Sequence, residues 1–304
     1  MPEHEVRAVL TYDALIPATR EALIAYSAGE VNQPPRSILR TGNAEGLNNG
    51  WFAAMPVFAG DFIGVKIVTF YPSNAELGLP THMAVIELLR RSTGEPLALM
   101  DGRLITEMRT AAVSAVAFAA LASARPVASA SLGILGSGVQ ARAHIRALKV
   151  VWPALSDIRI WSRNPVHGER LAAETGARAV DIEEAAAADV VLAATSSTVP
   201  VLMGRWLAPH ALVLAVGATG AGLRELDDEA MLGCSVVVES RDSAKRESGD
   251  VMLTGAKVDA EIGEILAGKA AAPSGGRVVF KSVGMAIEDL AAAKLVWQAR
   301  RSRA

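Results

Sequence analysis

The hydrophobic positions change rhythm partway along the chain. In DFIGVKIVTFY, residues 61–71, β-branched and aromatic residues bounded by Asp and Pro predict a strand. EPLALMDG, residues 95–102, predicts a second strand. Between them PTHMAVIELLRRSTG, residues 80–94, predicts a short helix stopped by Gly94. TEMRTAAVSAVAFAALAS, residues 106–123, predicts a longer helix that Pro126 ends or follows. Beyond Pro126 the runs ASLGIL, DIRIWS, DVVLAAT, ALVLAVG and SVVVES are short and almost continuously apolar. The first two are each followed by an amphipathic stretch, VQARAHIRALKVV and VHGERLAAETG. That alternation predicts a doubly wound parallel sheet covered by helices on both faces. KSVGMAIEDLAAAKLVWQARR, residues 281–301, predicts a helix that rejoins the first part of the chain. The fold class expected is therefore α/β: a doubly wound domain over residues 125–284, and a discontinuous α+β domain made of 1–124 and 285–304.

Bulk composition narrows the classes. The chain has 304 residues, of which 51% are hydrophobic, with 30 Lys and Arg against 32 Asp and Glu. Such a length supplies ample apolar surface for true cores. A net charge of −2 with no basic cluster argues against nucleic acid as a partner. The ARRSRA tail reads as a solvated helix end. Cys234 stands alone, so no disulfide framework is expected and a reducing, cytoplasmic setting fits. The N-terminus shows no apolar signal core, and apolar runs such as AAVSAVAFAALASA read as too short to span a bilayer. No residues have metal-ligand spacing.

The sharpest local signal is SLGILGSGVQARAHIRAL, residues 131–148. Gly136-Ser137-Gly138-Val139-Gln140-Ala141 gives G-x-G-x-x-A between a predicted strand and a predicted helix. Gly136 permits the tight turn, Gly138 lets the backbone approach a pyrophosphate, and Ala141 lets helix and strand pack closely. The helix N-terminus then offers free N–H groups and a positive dipole end to phosphate. An acidic residue about twenty positions further on would bond the ribose of NAD. Ser162, Arg163 and Asn164 stand there instead. Arg163 can pair with a 2′-phosphate that a carboxylate would repel, so NADP(H) is expected over NAD(H), with NAD(H) still possible.

Three cations lie where a core is expected. Lys66 interrupts FIGVKIVTF, Arg109 opens a helix of small apolar residues, and Arg36 follows two prolines. Singly, each has a plain reading: a lysine snorkelling from an edge strand, a helix surface residue, a loop arginine. Together they predict a cationic pocket for a substrate carboxylate. His144 and His210 read as surface residues, and His82 as structural. Asp289 is equally readable as facing the site or as a helix-surface carboxylate.

These residues and the glycine loop resemble the ornithine cyclodeaminase/mu-crystallin family. The resemblance runs through QPPRSI, GVKIVT, TGEPLALMDGRLITEMRTAAVSAVA, LGILGSGVQARAHIRAL, IRIWSRN, VGATGAGLRELDDEAM and FKSVGMAIEDLAAA, in that order, over most of the chain. It implies a homodimer with a Rossmann-type cofactor domain and a second domain for substrate binding and dimerisation. Arg36, Lys66 and Arg109 match positions that bind the substrate carboxylate and neighbouring groups. Thr195, Ser196, Val216 and Gly217 match positions at the nicotinamide end, and Ser282, Val283 and Gly284 match a segment that closes over it. One departure is informative. Family cyclodeaminases carry an Asp in the loop after VG, where this chain has Thr219. A hydroxyl is no carboxylate base near neutral pH.

The expectation is an NAD(P)H-dependent reductase of cyclic ketimine carboxylates, such as pyrroline-2-carboxylate or piperideine-2-carboxylate, or of an open-chain α-imino acid. Arg109 and Arg36 would clamp the carboxylate. Lys66 would bond it or protonate the imine nitrogen, and Thr219 would stand in the catalytic loop. Two alternatives remain open. One is a cyclodeaminase-like lyase or an amino-acid dehydrogenase, in which Glu225 or Asp227 replaces the missing Asp. The other is a protein that binds NADPH or a small ligand without catalysis. No nucleic acid or membrane partner is expected.

Overall fold

The computed structural model describes residues 1–42, 50–125 and 131–302. Pro126 and the other residues in the gaps lie outside that description. In chain order the first elements are α1 (Glu3–Arg7), α2 (Tyr12–Ser27), β1 (Ser37–Arg40), β2 (Trp51–Ala59), β3 (Phe62–Phe70), β4 (His82–Arg90) and β5 (Pro96–Asp101). α3 (Arg103–Ala122) leads to β6 (Ser131–Leu135), α4 (Val139–Val151), β7 (Asp157–Trp161), α5 (Pro165–Thr175), β8 (Arg178–Ala179), α6 (Ile182–Ala186) and β9 (Val190–Ala193). Then follow β10 (Leu212–Ala215), α7 (Asp228–Leu232), β11 (Cys234–Val238), α8 (Arg241–Glu247) and α9 (Gly249–Met252). β12 (Val258–Glu261), α10 (Ile262–Leu266), β13 (Arg277–Lys281) and α11 (Ala286–Arg301) complete the chain. Two compact units result. One comprises Met1–Arg109 with Met285–Ala304, the other Thr110–Gly284.

In the first unit an antiparallel sheet runs β1-β2-β3-β4-β5. Side chains alternate across it. Ala53, Met55 and Val57, Val68, and Ala84, Ile86 and Leu88 are buried on one face. α11 lies across β2, β3 and β4, and α2 packs on α11. The approach is close at Gly64, where an added Cβ would come within 2.8 Å of Leu290 Cδ1. Residues 82–90 correct the helix expected there: they pair with β3 along their whole length. The segment satisfies a two-residue period as well as a helical one, and strands on both sides of it decide the outcome.

The second unit holds an all-parallel sheet in the order β12-β11-β13-β10-β9-β6-β7-β8. The chain starts in the middle at β6, winds out through β7 to β8, then returns to the other side of β6 as β9. This reversal creates a switch point at the carboxyl end of β6, where doubly wound sheets bind ligands. Strands β6, β9 and β10 are buried along their entire length. The expected helix from 281 is shorter: Lys281 ends β13, and α11 starts at Ala286. α3 is long and apolar enough to cross a membrane, contrary to the reading of its apolar run as too short. Yet 78% of its most apolar stretch is buried inside the protein.

Candidate active site

The glycine loop is built at the switch point. Gly136 has φ +123°, and a Cβ there would lie 2.4 Å from the Ala194 carbonyl oxygen, so only glycine fits. Gly138 differs: a Cβ there would meet nothing within 4 Å. It is the N-cap of α4 and gives no side-chain cap, which leaves the first-turn N–H groups to a ligand. Ala141 is fully buried against the sheet, while Val139 is exposed beside the loop. Gln140 Oε1 is a buried acceptor without a protein partner. An open cradle before an uncapped helix end fits a dinucleotide pyrophosphate. Beyond β7, Ser162 bonds Ser137 through their hydroxyls at 2.8 Å. Asn164 caps α5 by accepting from the Val166 N–H, so its side chain is committed to the helix. Arg163 between them is exposed.

Three loops leave the carboxyl ends of β9, β10 and β13, and buried carboxylates tie them together. Glu225, fully buried, accepts from the Thr195 N–H (2.6 Å) and hydroxyl (2.7 Å), the Gly217 N–H (2.6 Å) and the Ala218 N–H (3.0 Å). Glu239 accepts from the Ser282 hydroxyl and from the Val283 and Gly284 N–H groups. Lys281 donates to the Ala218 carbonyl at 2.8 Å and pairs with Asp250 at 3.0 Å. Asp250 in turn accepts from the Glu225 and Leu226 N–H groups. Gly217 has no room for a Cβ, which would sit 2.2 Å from the Thr195 carbonyl oxygen. Val216 is buried, Gly284 takes φ +78°, and Ser196 and Thr219 are exposed. The Glu239, Asp250 and Lys281 ties escaped the sequence reading. The signal was there: Lys281 interrupts VVFKSVG as Lys66 interrupts its own apolar strand.

The first unit brings Lys66 and Arg109 together through α11. Lys66 Nζ lies 2.6 Å from Asp289 Oδ2; Arg109 Nε donates to Asp289 Oδ1 at 3.2 Å; Arg109 Nη1 pairs with Glu288 Oε2 at 2.8 Å. All four side chains are buried. This corrects two plain readings. β3 is a central strand, so Lys66 does not snorkel from an edge, and Arg109 is no surface residue. Burial pushes the Lys66 ammonium down to about 8 against the opposing pull of Asp289, with Arg109 and Arg36 also pushing it down. Arg36, half-buried after Pro34 and Pro35, is thus within electrostatic reach of Lys66. His82 opens β4 and is pushed down to about 4, first by burial and then by Lys66 and Arg109, so it is neutral at pH 7. Glu288 had no place in the sequence reading.

The model of the ornithine cyclodeaminase/mu-crystallin family matches residues 2–303. The chain belongs to this family. The mouse protein named ketimine reductase mu-crystallin is 40% identical over 93% of this chain and 91% of its own. A Thermococcus litoralis Δ1-pyrroline-2-carboxylate reductase, solved with NADH and L-proline, has a TM-score of 0.92 and 31% identity, covering 100% of this chain and 97% of that one. An archaeal alanine dehydrogenase dimer with bound NAD has a TM-score of 0.92 and 29% identity, covering 100% and 96%. Within this ornithine cyclodeaminase/mu-crystallin frame the loop after β10 is decisive. Both acids that follow Thr219 most closely in this loop, Glu225 and Asp227, are engaged with backbone and side-chain donors. Glu225 is saturated by four donors, and Asp227 caps α7 while accepting from the Gly204 N–H. His210 is exposed and pairs with Asp189, but His144 is fully buried, correcting its surface reading. Its ring nitrogens meet the Gln140 carbonyl and the Ser114 hydroxyl.

Proposed function

We propose that this protein is an NAD(P)H-dependent reductase of cyclic ketimine or α-imino carboxylates. The observation that carries the reading is the loop after β10: Thr219 stands where a cyclodeaminase needs a carboxylate, and both neighbouring acids are engaged elsewhere. Gly136, Gly138 and the N-terminus of α4 would hold the pyrophosphate of a nicotinamide cofactor, which when bound would supply hydride to the imine carbon. Arg109 and Arg36 clamp the substrate carboxylate, which orients the imine. Lys66 gives a proton to the imine nitrogen. Buried Glu225, Glu239 and Lys281 hold the nicotinamide-end loops in place in advance. The protein acts as a homodimer in the cytoplasm.

The test follows NADPH absorbance with cyclic ketimine carboxylates, beside ornithine with NAD assayed for proline and ammonia. NADPH loss dependent on an imine is expected. Proline and ammonia from ornithine would overturn the reading, and cofactor binding without turnover of any imine would leave only a binding protein. Cofactor choice rests on Arg163, which is exposed at the end of β7 with no acid beside it at Ser162 or Asn164. Replacing Arg163 with Ala should weaken NADPH about tenfold while leaving NADH nearly unchanged, by loss of one charge-assisted pair. Equal weakening of both, measured by cofactor fluorescence titration, removes Arg163 from the choice.

A further inference from the structure

α11 is the last element of the chain, yet it sits on the strands that carry Lys66. Its first turn delivers two adjacent carboxylates to two cations from other elements. Asp289 bridges them: one oxygen lies 2.6 Å from Lys66 Nζ on β3, the other 3.2 Å from Arg109 Nε on α3. Glu288 meets Arg109 alone among these two. The surroundings of Lys66 otherwise oppose its charge. It is buried opposite Met55 on β2 and Ile86 on β4, with Arg109 and Arg36 adding like charge and His82 neutral. Asp289 is the group that pulls the other way.

We propose that Asp289 is the positioning residue of the reduction: its carboxylate keeps Lys66 an ammonium, and so able to give a proton, in a site that would otherwise strip that proton away. The proposal rests on the reading of the protein as an imine reductase. In the step, the C=N π bond breaks, a C–H bond forms with hydride from NAD(P)H, and the nitrogen takes the proton of Lys66. The cofactor leaves oxidised, the product is a secondary amine, and neutral Lys66 recovers its proton from solvent. Asp289 exchanges no proton with the substrate. The second oxygen on Arg109 fixes the carboxylate, so its orientation does not depend on the state of Lys66.

The experiment compares the pH profile of kcat for wild type, Asp289→Asn and Glu288→Gln, with NADPH and a cyclic ketimine. Wild type should hold its rate at neutral pH and lose it as pH rises through about 8, the value of Lys66. An opposite charge at this range is worth about one to three pKa units, so at pH 8 Asp289→Asn should fall at least about fivefold below wild type. The deficit should close on acidification, and the limb should move less in Glu288→Gln. A pH-independent deficit means that Asp289 is merely structural and overturns the proposal, as does an equal shift in both variants. Direct titration of the Lys66 side chain by NMR in wild type and Asp289→Asn gives a readout without turnover. A lowered Lys66 titration in Asp289→Asn supports the proposal, and an unmoved one overturns it. Absence of imine-dependent turnover in wild type counts against the reductase reading alone.

Discussion

A lone ammonium inside an apolar strand is too costly to keep charged, and the site exploits that cost. Lys66 stands among Gly64, Val68, Met55 and Ile86, and burial alone drives it toward neutrality. With Asp289 beside it the balance settles near 8 instead of its ordinary value of 10.5. A donor with that value matches proton transfer near neutral pH. The direction of the pH effect then depends on the direction of the reaction. Reduction needs the ammonium, so its kcat should be flat below about 8 and fall as pH rises through it. Oxidation of the product amine needs the neutral amine, so its kcat should rise through the same value. Measuring both directions between about pH 6 and pH 10 checks this, since a single titrating group predicts mirror-image limbs. Limbs of the same sign would take Lys66 out of the proton step.

Single elements were legible where one physical cause dominates. Gly136 and Gly138 look alike in sequence but act differently. Gly136 is held by its φ and by the Ala194 carbonyl, whereas Gly138 fronts open space. Gly138→Ala should therefore fold with an unchanged Tm, its φ of −80° being ordinary for alanine. The methyl would occupy the cradle where the pyrophosphate approaches, and NADPH affinity should fall about tenfold or more. Calorimetric Tm together with cofactor titration separates the two effects; a large drop in Tm would show that Gly138 serves the fold. The same sequence could not settle β4, because Met83 to Leu89 fits either period until β3 and β5 pair with it. Nor could it couple α11 to α3. Arg109 and Asp289 are 180 residues apart, and no local pattern links them. Lys66 was legible as a misplaced charge, but its partner needed the fold.

At the scale of the whole molecule, one face of the first unit's sheet presents exposed apolar residues among those described. α11 and α2 serve the face that carries Lys66. The opposite face presents Leu39, Ile67, Met83, Val85 and Leu99, all exposed. These residues share a face by register: Ile67 lies opposite Val85, Thr69 opposite Met83, and Glu87 opposite Leu99. An apolar sheet face of this kind costs free energy in water and marks an interaction surface. On the homodimer reading proposed above, a second copy of the chain would cover it, since an isologous contact buries the same patch twice. In solution the protein should therefore sediment at twice its chain mass of 31.8 kDa. Val85→Lys tests the surface directly. Val85 is 41% exposed in the single chain, so the variant should fold while the dimer loses a buried apolar contact and gains an unpaired charge. Sedimentation equilibrium should then find mainly monomer at concentrations where wild type is dimeric. A wild type that is monomeric throughout, or a variant as dimeric as wild type, would mean that this face is covered in another way.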